Sequence, residues 1–256
     1  MTDAFYQPDG DHVLSSPLTR GPWDERFQHG GPPSALLAQT LQDRAEPGLA
    51  LARITLDFLR PVPIGRLRIA VEPPSGGRTV QRHTARLLEG ETPVLEARAL
   101  FVRRHALDDL PGSRASPWPA PESLVPFVFP FFRWEEGYAQ AVDVRLVDPP
   151  WGTTPIRCWG RPRVDLVAGA PTTPEAQVLI LADAESGMGP PVDPLEYTYV
   201  NPDLTVYFGR APEPGWTGFD IHSFAGPDGC GLSESGLRDR RGPFGRSAQS
   251  LVVRRR

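Results

Sequence analysis

The chain states one pattern twice. Residues 54–60 read ITLDFLR and residues 204–210 read LTVYFGR, an offset of 150 (210 − 60 = 150). The stretches that follow agree as well: ALFVRR at 99–104 matches SLVVRR at 250–255, offset 151 (250 − 99 = 151). Between them, LLEGETP at 87–93 corresponds to LRDRRGP at 237–243. A duplicated unit accounts for this. The offset is far longer than the roughly 20–50 residues of a solenoid repeat, so the pattern predicts two similar modules with a cleft between them.

The first copy opens with short strands around Phe5-Tyr6 and His12-Val13-Leu14, then a turn at Gly21-Pro22-Trp23. In the segment 27–42, the run Gly30-Gly31-Pro32-Pro33 opens a helix, because proline is tolerated in a first turn whose N–H groups have no intrahelical partner. Ala35, Leu36, Ala38, Leu41 and Ala45 make that helix small-sided and largely buried. From 51 to 104 the period becomes two, with runs at 67–71, 79–88 and 94–102 separated by proline- and glycine-rich turns, which predicts a four-stranded antiparallel meander. The helix must pack on that sheet to bury its apolar face. Residues 106–133, with Pro111, Pro117, Pro119, Pro121, Pro126 and Pro130, read as a linker between an N-terminal module at 1–105 and a C-terminal module at 134–256. The second copy is expected to begin with strands at 138–147 and 154–164. A helix follows, capped by Thr172-Thr173 with Pro174 in its first turn and ending near Gly187. A meander then runs from Leu204 to the end.

Other features exclude whole classes of function. A net charge of −4 gives no reason to expect a nucleic-acid partner, and all 27 basic positions are arginine. No apolar run approaches the roughly 20 residues of a membrane-spanning helix, and the N-terminus lacks a basic and apolar leader. The expectation is a cytoplasmic protein without a membrane partner. Cys158 and Cys230 have no metal-ligand spacing, and no metal or organic cofactor is expected. No G-x-S-x-G elbow is present, since Ser233 lacks the second glycine; nor is an H-E-x-x-H, Walker or G-x-G-x-x-G motif.

A long helix wrapped by a curved antiparallel sheet, twice in one chain, resembles the α+β double hotdog architecture. The segments Gln28-His-Gly-Gly-Pro-Pro-Ser-Ala-Leu-Leu37, Leu56-Asp-Phe-Leu-Arg-Pro61, Leu181-Ala-Asp183, 204–210 and Ala248-Gln-Ser-Leu251 resemble the thioesterase-like superfamily, and within it the acyl-CoA thioesterase II group. The resemblance implies cofactor-free hydrolysis of acyl-CoA thioesters. It also implies a water held by three polar residues: an aspartate in the second helix, a Thr or Ser before the next strand, and a glutamine on the last strand. The matching positions here are Asp183, Asn201 and Gln249. Asn201 departs from the pattern where a hydroxyl is expected.

Physical chemistry attaches roles to these residues. Asp183 ends the apolar run 178–182, where the negative end of a helix dipole and burial both predict a raised pKa. Gln249, in an otherwise apolar strand, needs a partner if buried, and either orients the water or faces solvent at a sheet edge. His29, Gly30 and Gly31 at a helix start are candidates for binding the thioester oxygen; Gly-Gly-Pro-Pro also serves as a tight helix entry. Arg60 and Arg210, equivalent in the repeat, pair with carboxylates or meet a CoA phosphate. Phe127, Phe129, Phe131, Phe132 and Trp134 form a pocket wall or ordinary core. The alternative to catalysis is a non-catalytic acyl-CoA or lipid-binding protein on the same scaffold. A hydratase would need an Asp/His pair that no local motif supplies. The modules are expected to join their sheets edge to edge, with a homodimer as a further level of assembly.

Overall fold

The computed structural model describes residues 4–107, 109, 117–148 and 150–256. The first run of elements is β1 (Ala4–Asp9), β2 (His12–Ser15), α1 (Gly31–Asp43), β3 (Leu49–Phe58), β4 (Arg66–Val71), β5 (Ser75–Gly76), β6 (Val80–Glu89) and β7 (Thr92–Arg103). The second is β8 (Pro126–Phe127), α2 (Tyr138–Ala141), β9 (Val142–Leu146), β10 (Ile156–Pro162), β11 (Asp165–Val167), α3 (Pro174–Ala182), α4 (Glu185–Met188), β12 (Tyr197–Val200), β13 (Asp203–Phe208), β14 (Thr217–Ala225), β15 (Cys230–Asp239) and β16 (Gly242–Arg255).

All strands join one sheet in the order β11-β1-β2-β4-β6-β7-β3-β13-β16-β15-β14-β10-β9-β8, with β5 beside β6 and β12 beside β16. The order mirrors itself about the β3–β13 seam. There the repeated segments pair with each other, and Thr55 faces Thr205 (205 − 55 = 150). Their hydroxyls meet at 3.1 Å. The sequence repeat is therefore a local two-fold relation in space, and the strand carrying the repeat makes the edge-to-edge contact.

The sheet differs from a simple meander. β3 does not pair with β4; it pairs with β7, and β4 pairs with β6 and β2. The second half repeats this, β13 lying against β16 while β14 reaches β10. The loop after β3 carries the chain to the far side of the sheet, leaving β3 free to meet β13. A second departure is at 138–147: Tyr138–Ala141 is a helical turn, and only Val142–Leu146 is strand. Tyr138 is drawn inward instead, its hydroxyl donating to the Ile180 carbonyl at 2.8 Å. β11 also leaves its own half to pair in parallel with β1. Within the proline-rich stretch, Pro111 lies outside the described residues.

Both long helices are buried. α1 hides Ala35, Leu36, Leu37, Ala38 and Leu41, and α3 hides residues 178–182. α3 begins as expected at Pro174, and the Thr173 hydroxyl accepts from the Ala176 N–H, a cap of a kind that contributes about 1 kcal/mol. That hydroxyl also donates to Gln42 of α1. The N-terminus of α1 packs directly on the end of α3: a Cβ at Gly31 would lie 2.1 Å from the Ile180 carbonyl oxygen. Gly31 is required for close approach rather than for a positive φ.

Candidate functional site

The loop leading into α1 is pinned from several sides. Gln28 accepts from the Tyr6 hydroxyl at 2.6 Å and donates to the Pro63 carbonyl at 2.7 Å. The His29 N–H donates to the Thr19 carbonyl at 2.7 Å. Gly30 lies so close to Asp183 that a Cβ there would fall 2.7 Å from Oδ1. The start of α1 is thereby fixed against the residue that ends α3.

That residue is Asp183. Its Oδ2 lies 3.0 Å from His29 Nδ1, and its Oδ1 accepts from Asn201 Nδ2 at 2.7 Å. Burial alone would raise the carboxyl. The His29 imidazole, hydrogen bonds from His29 and Asn201, and the Gly30 N–H outweigh it and hold Asp183 below the ordinary carboxylate range. The expected upward shift is thus corrected. Partners from the opposite helix start, which a single helix does not reveal, decide the sign. His29 Nδ1 also lies 3.2 Å from the Gly31 nitrogen. One ring nitrogen cannot both donate to a carboxylate and accept from an N–H. The carboxylate is the nearer and stronger partner, which places the proton on Nδ1 and leaves Nε2 as the basic nitrogen. The imidazole stacks on Tyr138 with ring centroids 3.8 Å apart and planes 3° from parallel.

These groups open on a cavity of about 460 Å3. His29, Gly30, Asp183 and Asn201 all line it. Its other walls are mainly apolar: Trp23, Phe27, Phe58 and Val62 from the first half, Tyr199 and Val200 from the second, and Phe129, Phe131 and Phe132 from the segment joining them. Of the aromatic cluster read from sequence, these three phenylalanines face the cavity. Phe127 packs on Phe129 and Trp151.

Gln249 is placed apart from this group. It is 1% exposed and absent from the cavity wall, and its amide is directed to the Glu185 carboxyl. Its neighbour is Glu185, a residue the sequence did not single out. Glu185 is fully buried and accepts from the Ser247 hydroxyl at 2.5 Å. Burial pushes its carboxyl up to about 8, the Asp183 and Glu234 charges add to this, and the Ser247 hydroxyl and Gln249 amide oppose it. Between the ordinary 4.5 and about 8, the native chain holds a proton that the unfolded chain has released. Stability must fall across that window as pH rises. Glu185→Gln is expected to be nearly neutral at pH 4 and to stabilise by roughly 2–4 kcal/mol at pH 9, read from urea midpoints. Equal effects at both pH values would contradict a protonated Glu185.

The two repeat-related arginines have different fates. Arg210 is clamped by Asp239 through contacts of 2.6 and 2.7 Å and by the Gly242 carbonyl. Arg60 lines the cavity, and its guanidinium has no hydrogen-bond or ion-pair partner among the described residues. Among the described residues no cluster of His, Cys, Asp or Glu could hold a metal ion, and no helix is long and apolar enough to cross a membrane.

No curated protein gives a significant match. Among solved structures, the chain is similar to a conserved protein with hot dog fold from Alicyclobacillus acidocaldarius: TM-score 0.75, 16% identity, covering 98% of this chain and 97% of that one. It is similar to the acyl-CoA thioesterase II TesB2 of Mycobacterium marinum, with TM-score 0.69, 15% identity and coverage of 98% and 94%. The tesB protein of Mycobacterium avium subsp. paratuberculosis gives TM-score 0.67, 16% identity and coverage of 97% and 95%. These likenesses establish a hotdog fold. The model of the acyl-CoA thioesterase N-terminal domain matches residues 19–102, and that of the C-terminal domain matches residues 114–253. Matched over most of its length in that order, the chain belongs to the acyl-CoA thioesterase family.

Proposed function

We propose that the chain hydrolyses acyl-CoA thioesters in the seam cavity, and that His29 and Asp183 act there as one unit. The observation that carries this reading is the 3.0 Å contact between His29 Nδ1 and Asp183 Oδ2 at the wall of an apolar cavity. Water bound at Nε2 of His29 attacks the thioester carbonyl carbon, and Nε2 takes its proton. Asp183 holds the ring in the required tautomer and stabilises the imidazolium, the part an orienting carboxylate plays beside a catalytic histidine. The tetrahedral intermediate collapses with cleavage of the carbon–sulfur bond, and the thiolate recovers the proton. Asn201 supplies a second donor to Asp183. Of the helix-start glycines Gly30 lines the cavity, whereas the Gly31 N–H is directed at His29 Nδ1, so the positive end of α1 rather than that one amide faces the developing oxyanion.

This reading keeps Asp183, Asn201, His29 and the helix-start glycines in one site and gives the proton to His29, since a carboxylate held below its usual range is a weak base. Gln249 acts with Glu185, beyond the cavity wall. The scaffold is a double hotdog with modules at 1–105 and 134–256 joined by residues 106–133; the mirrored strand order supports that division.

The Asp/His pair also favours a second reading, addition of water to a 2-enoyl thioester, in which the same base activates water toward carbon 3. A panel of saturated and 2-enoyl-CoA esters separates the possibilities. Release of free thiol from saturated esters is the expected result. Loss of the enoyl absorbance without thiol release would indicate hydration, and saturable binding with neither would indicate a non-catalytic carrier.

A further inference from the structure

Beside the acyl cavity lies a second depression of about 320 Å3, which shares Pro22, Trp23, Asp24 and Phe131 with it. Its other walls are of a different character: Glu25, Arg133, Trp134 and Arg256. Trp23 is 42% exposed, whereas tryptophan is highly buried on average. Its ring is held parallel to Phe131, 9° between planes. The Arg256 guanidinium lies 5.8 Å from the Trp23 ring centroid, and its Nε donates to the Pro194 carbonyl. Trp134 is fixed by its Nε1–H, which donates to the Gly21 carbonyl at 3.0 Å. The Arg133 guanidinium has no hydrogen-bond or ion-pair partner among the described residues.

Trp134 lies under the Arg20 guanidinium, 5.9 Å from its ring centroid, so the part-exposed Trp23 is the platform for a flat base: indoles stack on bases, and the exposed guanidiniums of Arg133 and Arg256 bind phosphate oxygens bidentately. Of the two acids on the wall, Asp24 is already held by Arg26 at 2.6 Å. Glu25 remains as a repulsive neighbour and bounds the affinity. Arg60 adds a further unpartnered cation on the shared cavity wall. Its counterpart Arg210 is sealed by Asp239, so the duplication has kept the guanidinium and freed it only in the half that faces this opening.

Resting on the acyl-CoA reading, we propose that this groove binds the nucleotide end of the thiol carrier, with the purine on Trp23 and the phosphates at Arg133 and Arg256.

The test compares one acyl group on CoA and on pantetheine, which lacks the nucleotide. Arg133→Ala/Arg256→Ala is expected to raise KM for acyl-CoA by about 10- to 100-fold with kcat retained, and to move KM for acyl-pantetheine less than about 2-fold. An equal rise for both substrates, or no rise for acyl-CoA, overturns the proposal. If the wild-type chain hydrolyses neither substrate, the thioesterase reading fails separately. The groove is then judged by equilibrium binding of adenosine 3′,5′-bisphosphate, followed through tryptophan fluorescence. Binding to the wild type that the double variant loses supports the groove, and no binding to the wild type overturns it.

Discussion

Asp183→Asn is expected to lower thioester turnover by about 10²- to 10⁴-fold, the range spanned by loss of a positioned acid–base pair. The amide is isosteric, but it presents an N–H where the carboxylate accepts from His29 Nδ1 at 3.0 Å or from Asn201 at 2.7 Å. The ring then turns or changes tautomer, and Nε2 ceases to be the basic nitrogen. His29→Gln removes the base itself and is expected to fall by a similar factor. Groups that act as a unit are not additive, so the double variant should lose no more than the worse single. Steady-state kinetics with matched circular dichroism and melting curves read this. A multiplicative loss would mean that the two residues act separately, and unchanged turnover in Asp183→Asn would remove the pair from the mechanism.

Gly31→Ala is expected to carry a large structural penalty. The new Cβ would sit 2.1 Å from the Ile180 carbonyl oxygen and 2.9 Å from its carbon, both backbone atoms of a buried helix. No rotamer relieves a clash with main chain, so α1 and α3 must separate. Overpacking of this kind costs about 3 kcal/mol or more, a fall in Tm of roughly 6–12 °C for a chain of this size. The same displacement pulls Gly30 and His29 away from Asp183, and the variant should lose activity at temperatures where it remains folded. A Tm within about 2 °C of wild type, with activity retained, would mean that the two helices have slack at their contact.

The arrangement of the seam was the most legible part of the molecule. Duplicated strands with alternating polarity predict equivalent edges, and two equivalent edges satisfy their open hydrogen bonds by pairing with each other; β3 and β13 do so in the register of the repeat. The helix starts were legible for local reasons, proline in the first turn and a threonine cap. The order of the sheet was not, because alternation marks a strand without naming its neighbour, and β3 leaves the meander for its partner. Tyr138 was misassigned to a strand because its aromatic, β-prone neighbourhood outweighs a contact with Ile180 that lies 42 residues away.

In the site, His29 could be singled out from position and chemistry, and Asp183 and Asn201 through the family resemblance. Their union could not. Residues 29 and 183 are 154 apart in the chain (183 − 29 = 154), and the only local signal is the pair of glycines that lets the helix ends touch. The same gap hid the sign of the Asp183 shift, which depends on a histidine from the other half. Glu185 left no signal either: an acid two residues after another at a helix end reads as solvated, and it is buried because α4 packs on β14 and β15 and Ser247 of β16 donates to it.

A crystal structure with a non-hydrolysable thioether analogue of the substrate bears most directly on the account. The account predicts the acyl chain between Phe58, Phe131 and Phe132, with the carbonyl carbon within about 4 Å of a water held at His29 Nε2. An analogue whose carbonyl lies outside the seam cavity, or beside Gln249 and Glu185 instead, would contradict it.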